Sequence, residues 1–238
     1  VYAKFMVGPR GQFRIGQYKQ NMNMEELIST KSIDFVSRAL PNAFTIGRRL
    51  GVEYMQFGSN WTASAGVYDR ELTNNGGKGT GVVVRATYAP VYELEETLHF
   101  GVAVSSQEQS KNVARFSTRP EADLANFRLV DTGNLANAER NNQIGLEAAY
   151  SKGPWAVQGE YIRADVSRGA GLDDYSADGY YVYGTWFVTG EAKTYKQGKF
   201  DYPVPNDPGK GALELGLRYS SIALDDGSVL GGEEQNWT

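Results

Sequence analysis

Apolar and polar residues alternate with a period of two along most of this chain. In residues 80–89, for example, Val82 and Val84 lie on one face, whereas Val83 and Arg85 lie on the other. Successive side chains of a β-strand point to opposite sides of the sheet, so this period predicts about ten antiparallel strands and an all-β fold. The predicted strands are residues 1–7, 11–18, 49–57, 61–69, 80–89, 97–106, 142–151, 154–164, 178–190 and 211–222.

The predicted connections alternate in length. Short turns are expected at 8–10, 58–60, 90–96 and 152–153, and long loops at 19–47, 70–79, 107–141 and 165–177. The link 191–210 is an exception, because it is long where a short turn is due. Short turns on one side and long loops on the other are typical of an outer-membrane barrel, whose strands need about 9–11 residues to cross the bilayer.

The two faces of the predicted sheet differ in chemistry. One face is apolar and often small, while the other carries single charges in mid-strand, at Arg14, Glu53, Arg85, Glu147, Glu160, Glu214 and Arg218. Such charges need water, so a wet lumen suits them. Aromatic residues near strand ends would form interfacial girdles in a barrel. A soluble β-sandwich with an aromatic core stays open at this point, since alternation alone does not separate the two folds.

Residues 19–47 are the exception to the strand pattern and predict a helix within a long loop. Asn23 can cap the helix, Glu26 can complete a capping box, and Pro41 is expected to end it. Lys31, Asp34 and Arg38 would then lie on one helical face, because they are spaced three and four residues apart. Inside a barrel this face could line a pore.

Composition narrows the class of protein. The 238 residues include no cysteine, which excludes disulfides and thiolate metal sites. A net charge of −4 provides no basic field for nucleic acid. No apolar run of about 18 residues occurs, which excludes transmembrane helices and leaves a transmembrane barrel open.

Enzyme motifs are missing from the sequence. The single histidine, His99, lies in mid-strand, and no GxSxG, P-loop or HExxH pattern occurs. Carboxylates at 173–174 and 225–226 could bind calcium, although solvated loops are the simpler interpretation. We therefore expect no catalytic residue, no metal and no cofactor.

Several phrases of the sequence resemble the phosphate-selective porin O/P family. MEELISTKSIDFVSRALPNAF followed by GRRLG is similar to that family's inward-folding loop and the next strand. RATYAPVYE resembles a strand-to-turn passage, and RFSTRPEADLANFRLVDTGNL resembles the long loop in mid-barrel. WFVTGEAKTY and GALELGLRYSSIALDDG resemble a late hairpin with a long periplasmic link, which accounts for the exception at 191–210.

The resemblance implies a fold, a location and partners. It implies a transmembrane barrel of sixteen strands, of which residues 1–238 would form one partial domain, with an inward constriction loop at 19–47 and a long loop at 107–141. It also implies a homotrimer in the bacterial outer membrane, in contact with lipid and lipopolysaccharide, that passes small anions such as phosphate or polyphosphate. The last residues, GGEEQNWT, are expected to be loop, and both chain ends are expected to be internal to a longer protein.

An anion-selective pore needs several weak cationic sites along its path, and arginine suits phosphate because of its bidentate fork. The candidates are Arg14, Lys19, Lys31, Arg38, Arg48, Arg49, Arg85, Arg115, Arg119 and Arg128. The resemblance also implies a ladder of arginines at alternate positions in phosphate-specific members. Here the loop arginines are more widely spaced, with Glu121 and Asp123 between two of them, so the sequence predicts a channel for small anions without naming phosphate.

Two other functions remain compatible with the residues. One is a soluble β-sandwich module that binds carbohydrate through exposed tryptophan and tyrosine. The other is a structural outer-membrane barrel whose lumen is plugged. Detergent dependence would separate the first from a porin, and conductance would separate the second.

Overall fold

The structure, a computed structural model, describes residues 1–71, 79–122, 124–201, 203–227 and 229–238. Most of the predicted loop 70–79 lies outside the described residues, as does Asp123. In chain order the strands are β1 (Tyr2–Val7), β2 (Gly11–Lys19), β3 (Arg48–Phe57), β4 (Trp61–Tyr68), β5 (Gly81–Tyr92), β6 (Glu96–Glu108), β7 (Val113–Ala114), β8 (Ser117–Thr118), β9 (Val130–Asp131), β10 (Leu135–Ala136), β11 (Ala138–Lys152), β12 (Trp155–Arg168), β13 (Tyr175–Phe187), β14 (Thr194–Tyr195), β15 (Phe200–Asp201), β16 (Glu214–Asp226) and β17 (Val229–Trp237).

One large antiparallel sheet dominates the described part of the chain. Its eleven strands follow one another in the order β1-β2-β3-β4-β5-β6-β11-β12-β13-β16-β17, so nearly every strand pairs with its neighbours in sequence. The short strands form three two-stranded ribbons in the connections. The predicted all-β antiparallel fold is confirmed, and the single sheet matches part of a porin-type barrel.

All ten predicted strands are present, but two predictions at their ends are wrong. The loop expected at 165–177 shrinks to residues 169–174, because β12 and β13 extend into it. The final residues are not loop, since Val229–Trp237 forms β17 and pairs with β16. This strand carries little apolar alternation, so backbone hydrogen bonds to β16 and not a side-chain pattern define it.

The two faces of the sheet separate as the alternation predicts. Outward-facing Val84, Phe100 and Leu146 are each close to half exposed, whereas inward-facing Val83 and Ala103 are buried. Trp155 and Trp186 stack on the outward face with ring centroids 5.1 Å apart. An apolar outward face bordered by aromatic rings is the surface that a lipid-facing barrel wall presents.

The helix in the inward loop is much shorter than the sequence predicts. It spans only Met24–Leu27 (α1), and Asn23 at its start makes no side-chain capping bond. The side chain of Asn23 instead donates to Glu160 on β12, so wall contacts replace the predicted capping box. Pro41 does not end a helix but lies at the start of a 3₁₀ segment, Leu40–Phe44. Lys31 and Arg38 therefore do not share a helical face.

The inward loop and the long loop pack against the inner face of the wall. Leu40 and Phe44 of the 3₁₀ segment and Phe116 of the long loop join a buried cluster with wall residues such as Ile162 and Ile222. The inner face is apolar at this end of β12, β13 and β16. Burial of these side chains gives both loops a reason to fold inward instead of extending into solvent.

A second segment, residues 188–201, also lies against the inner face. The hydroxyl of Tyr195 is 2.6 Å from Nδ1 of His99, and Lys193 lies 2.6 Å from Asp34 of the inward loop. This segment follows β13 on the side of the short turns, where the sequence shows its exception at 191–210. The exception therefore marks a connection that folds into the space the sheet encloses.

Within the described ranges, no helix is both long and apolar enough to cross a membrane.

Candidate functional site

The inward loop is bound to the wall at the start of α1 and is braced by contacts of its own. The carboxylate of Glu160 on β12 accepts a hydrogen bond from the backbone N–H of Glu25 at 2.6 Å and one from Asn23 at 3.0 Å. Within the loop, Arg38 donates to the carbonyl of Ile28 at 3.0 Å and pairs with Glu26 at 3.1 Å. The bonds to Glu160 hold the loop on the inner face, where it divides two clefts.

The larger cleft, here called the Arg48 cleft, has a volume of about 700 Å³ and lies between β1–β3 and the inward loop. Uncharged polar side chains of the loop and of β2 line part of it. Its cations are Lys4, Arg14, Lys19, Arg48 and Lys199. None of the described residues that line it is acidic. A concave surface with cations and hydroxyls but no carboxylate attracts anions.

The cations of the Arg48 cleft differ in their partners. Arg14 binds Glu53 at 3.0 Å, and Lys19 lies 3.3 Å from Glu26. Among the described residues, Arg48 and Lys4 have no carboxylate within 4 Å, and both are exposed. Their charges are therefore not neutralised locally and are available to a solute in the cleft.

The smaller cleft, here called the Arg38 cleft, has a volume of about 280 Å³ and lies between the inward loop and the long loop. It brings together three predicted arginines from two distant segments: Arg38, Arg119 and Arg128. Arg128 donates to the carbonyl of Ser117 at 3.3 Å. One carboxylate, that of Glu121, lines the cleft among its described residues.

Lys31 is not among the described residues that line either cleft. It follows Thr30, which lines both of them, and it is exposed. In the described part of the chain its ammonium group has no carboxylate within 4 Å. Lys31 is thus a free cation on the part of the loop that separates the two clefts.

The other three predicted cations lie apart from these clefts. Arg49 and Arg85 are buried, and Arg85 binds Glu147 at 2.8 Å. Arg115 lies in the long loop and binds Asp131 at 2.8 Å. Its hydrogen bond holds the pKa of the Asp131 carboxyl down to about 2. For Arg49 and Arg85, burial limits direct contact with a passing ion.

Four residues that complete the arrangement were not among the site residues predicted from the sequence. Lys4 and Lys199 line the Arg48 cleft, and Glu121 and Arg218 form an ion pair of 2.8 Å beneath the Arg38 cleft. The sequence did indicate that Arg218 faces the lumen, since it is a charged residue in mid-strand on the polar face. No sequence pattern indicated a role for Lys199, because its place in the cleft depends on segment 188–201 folding inward.

Glu25 is the buried carboxylate of the inward loop. It accepts from the backbone N–H of Ala39 at 3.1 Å and lies 3.4 Å from Arg218. Burial nevertheless raises the pKa of Glu25 to about 7, because the charged form loses its hydration while the guanidinium and the N–H return only part of that stabilisation. Glu25 can therefore change its charge near neutral pH.

No group of three or more acidic or histidine side chains that could hold a metal occurs in the part of the chain that the structure describes. The geometry consists of cationic clefts around a fixed loop. It can attract and orient an anion.

Comparison with known proteins agrees with this picture. The family described as "Phosphate-selective porin O and P" matches residues 1–238. A protein of Caulobacter vibrioides described as uncharacterized is 29% identical over 259 residues, which cover 100% of this chain and 51% of that protein. Porin O of Pseudomonas aeruginosa is 26% identical over 188 residues, which cover 70% of this chain and 43% of that porin. The chain thus spans about half the length of the curated relatives it matches.

Proposed function

The chain belongs to the phosphate-selective porin O and P family, and on that premise we propose that it forms the constricted part of an outer-membrane porin that passes small anions passively. The sheet supplies part of the barrel wall. The inward loop and segment 188–201 narrow the lumen. No catalytic step is involved, because permeation needs only a wet path and weak binding sites.

The observation that carries the anion preference is the Arg48 cleft. It contains five cations and no described carboxylate, although the chain as a whole has a net charge of −4. Two of these cations, Arg48 and Lys4, have no local ion pair among the described residues. A path lined in this way concentrates anions and disfavours cations.

The more specific part of the proposal is that phosphate is one of the permeant anions. The family's name supports it, and the three arginines of the Arg38 cleft could bind an oxyanion through their planar forks. The single carboxylate of Glu121 in that cleft opposes it. We place phosphate among the permeant anions and leave smaller anions as its competitors for the same path.

The full-length protein is proposed to be a homotrimer in contact with lipid and lipopolysaccharide. The apolar outward face supports the lipid contact, since its side chains are exposed and alternate with buried inner ones. The large single sheet does not support a β-sandwich, which requires two sheets packed face to face. A carbohydrate-binding sandwich is therefore not favoured.

Single-channel recording on the full-length protein in planar bilayers tests the proposed function. Under a gradient of potassium chloride, we expect a reversal potential whose sign shows anion preference. Phosphate added at constant chloride should reduce the chloride current if it shares the path. A cation-selective reversal potential would overturn the anion preference, and the absence of any conductance would favour a plugged structural barrel.

A further inference from the structure

Arg218 joins the barrel wall to both inward-facing loops. It lies on β16 and is almost fully buried. Its guanidinium is 2.8 Å from the carboxylate of Glu121 on the long loop, and it donates to the carbonyl of Ser37 on the inward loop at 2.9 Å. A planar guanidinium with five donors can bind several acceptors at once, which a lysine cannot reproduce.

Glu121 is the matching contact from the long loop. Its side chain is only 4% exposed, although its neighbours along the chain lie at the surface. Besides Arg218, its carboxylate accepts from the backbone N–H of Leu40 at 3.2 Å and from the hydroxyl of Ser220. One carboxylate therefore bonds to the wall and to the inward loop together.

This docking sets the position of the cleft arginines. Arg119 is two residues before Glu121 and lines the cleft, so docking of Glu121 keeps the backbone at Arg119 beside the cleft. Arg128 is bonded to Ser117 on the same segment. On the opposite side, Arg38 is held separately by its pair with Glu26. The two sides of the Arg38 cleft meet because the long loop is docked.

We propose that Glu121 and Arg218 are positioning residues that assemble the Arg38 cleft and thereby strengthen the anion preference that the Arg48 cleft provides. Neither needs to touch the permeating ion. The inference rests on the proposed anion-selective porin and adds the residue pair that holds its second cationic cleft together. It also gives a role to the one described carboxylate in that cleft, which otherwise works against anion binding.

Glu121→Gln is the decisive variant because two explanations predict opposite signs. If Glu121 acts only through its charge, its removal makes the cleft more positive, and anion permeability relative to cation permeability rises about twofold. If Glu121 positions the long loop, the loop undocks, Arg119 and Arg128 leave the cleft, and the ratio falls. We expect the fall, together with a larger single-channel conductance.

Glu53→Gln is the matched control. Glu53 is a buried carboxylate paired with Arg14, and this pair joins two neighbouring wall strands to each other, whereas the Glu121 pair joins a loop to the wall. Its removal should raise the anion-to-cation permeability ratio, as charge alone predicts. The same rise in both variants would overturn the proposal.

Arg218→Lys is a second variant that keeps the charge of the wall. A lysine cannot bind Glu121 and the Ser37 carbonyl with the same fork, so we expect the permeability ratio to fall although the net charge is unchanged. A wild-type permeability ratio in Arg218→Lys would contradict the positioning role, since charge is then sufficient.

A structural measurement separates failure of this inference from failure of the proposed function. Ala114 lies on the long loop itself and is buried in the cluster that packs this loop on the wall. The 238 residues include no cysteine, so an Ala114→Cys thiol reports this position alone among them. We expect this thiol to be protected from a maleimide reagent and to lose that protection when Glu121→Gln is added. Continued protection would overturn the inference, whatever the ion selectivity of the parent channel.

Discussion

The guanidinium of Arg85 on β5 donates to the carboxylate of Glu147 on β11 at 2.8 Å, across the intervening strand β6. Both side chains are buried. The same guanidinium donates to the carbonyl of Gly198 at 2.6 Å. A wall ion pair thus also holds the second inward segment, and charges expected to be solvated are instead covered by folded connections.

Replacing Arg85 with methionine should destabilise the protein. Breaking a buried ion pair leaves Glu147 with an uncompensated charge, which typically costs about 3–5 kcal/mol. The double variant Arg85→Met/Glu147→Gln should recover part of this loss, because the carboxylate left without its partner is removed as well. Denaturant unfolding of the full-length protein in detergent measures both. Equal stability of the single and double variants would contradict the assignment.

Neutralisation of Arg48 should weaken the anion preference of the channel. Arg48 is exposed and has no local carboxylate, so Arg48→Gln should lower the anion-to-cation permeability ratio about twofold with little change in stability. Reversal potentials under a salt gradient measure this ratio. An unchanged ratio would remove Arg48 from the path.

Arg38 should behave as both a path residue and a loop contact. Arg38→Glu places a second carboxylate next to Glu26 and removes the donor to the carbonyl of Ile28, so the inward loop should loosen. We expect lower anion preference together with increased open-channel noise in single-channel records. A variant with neither change would show that Arg38 contributes to neither role.

Gly198 is required by the way the second inward segment meets the wall. Its φ is +78°, and a Cβ there would lie 2.9 Å from the hydroxyl of Thr87. Gly198→Ala should therefore destabilise the segment by about 1–3 kcal/mol from backbone strain, with a further loss from the close contact. Gly211→Ala is the control, since Gly211 has a φ of +76° but no atom within 4 Å of that Cβ. Denaturant unfolding should show the larger loss for Gly198.

Titration of Glu25 should make the free energy of unfolding depend on pH. Its pKa rises from an ordinary value of 4.5 to about 7 on folding, so the folded state binds the proton more tightly than the unfolded state does. Its contribution to the free energy of unfolding is therefore greatest below pH 4.5 and declines as pH rises to about 7. Glu25→Gln should flatten this part of the pH profile, as measured by denaturant unfolding.

The same titration should appear in ion selectivity. Protonation of Glu25 removes a negative charge next to Arg218, so anion preference should increase as pH falls from 8 to 6. Potassium chloride is the suitable salt, because phosphate itself titrates in this range. A wild-type reversal potential that is as independent of pH as that of Glu25→Gln would contradict the prediction.

Local periodicity is sufficient to predict the strands of this protein. A period of two specifies both the extended backbone and the face of each side chain, so β2 to β6 and the later long strands follow from their residues alone. The phrases of the inward loop also identify the family, which the family comparison confirms. Among the eleven strands of the large sheet, only β17 was not predicted, because pairing with β16 defines it in the absence of an alternating pattern. The two-residue strands in the connections are too short to show a period.

The extent of the helix and the grouping of the cations depend on tertiary contacts. Residues 28–39 carry a helical pattern, yet Arg38 donates to the carbonyl of Ile28, and Asn23, just before them, donates to Glu160 of β12, so the segment is an irregular loop. The bond to Glu160 joins residues far apart in sequence, which no local pattern encodes.

The candidate cations show the same limit. Ten basic residues could be named from the sequence, but which of them share a cleft depends on where 19–47, 107–141 and 188–201 fold. That is decided by the apolar inner face of β12, β13 and β16 and by buried ion pairs such as Glu121–Arg218. The sequence by itself therefore determines the wall and its two faces. Only the folded chain determines which charges remain free to meet an ion, because neutralisation depends on distance in space and not along the chain.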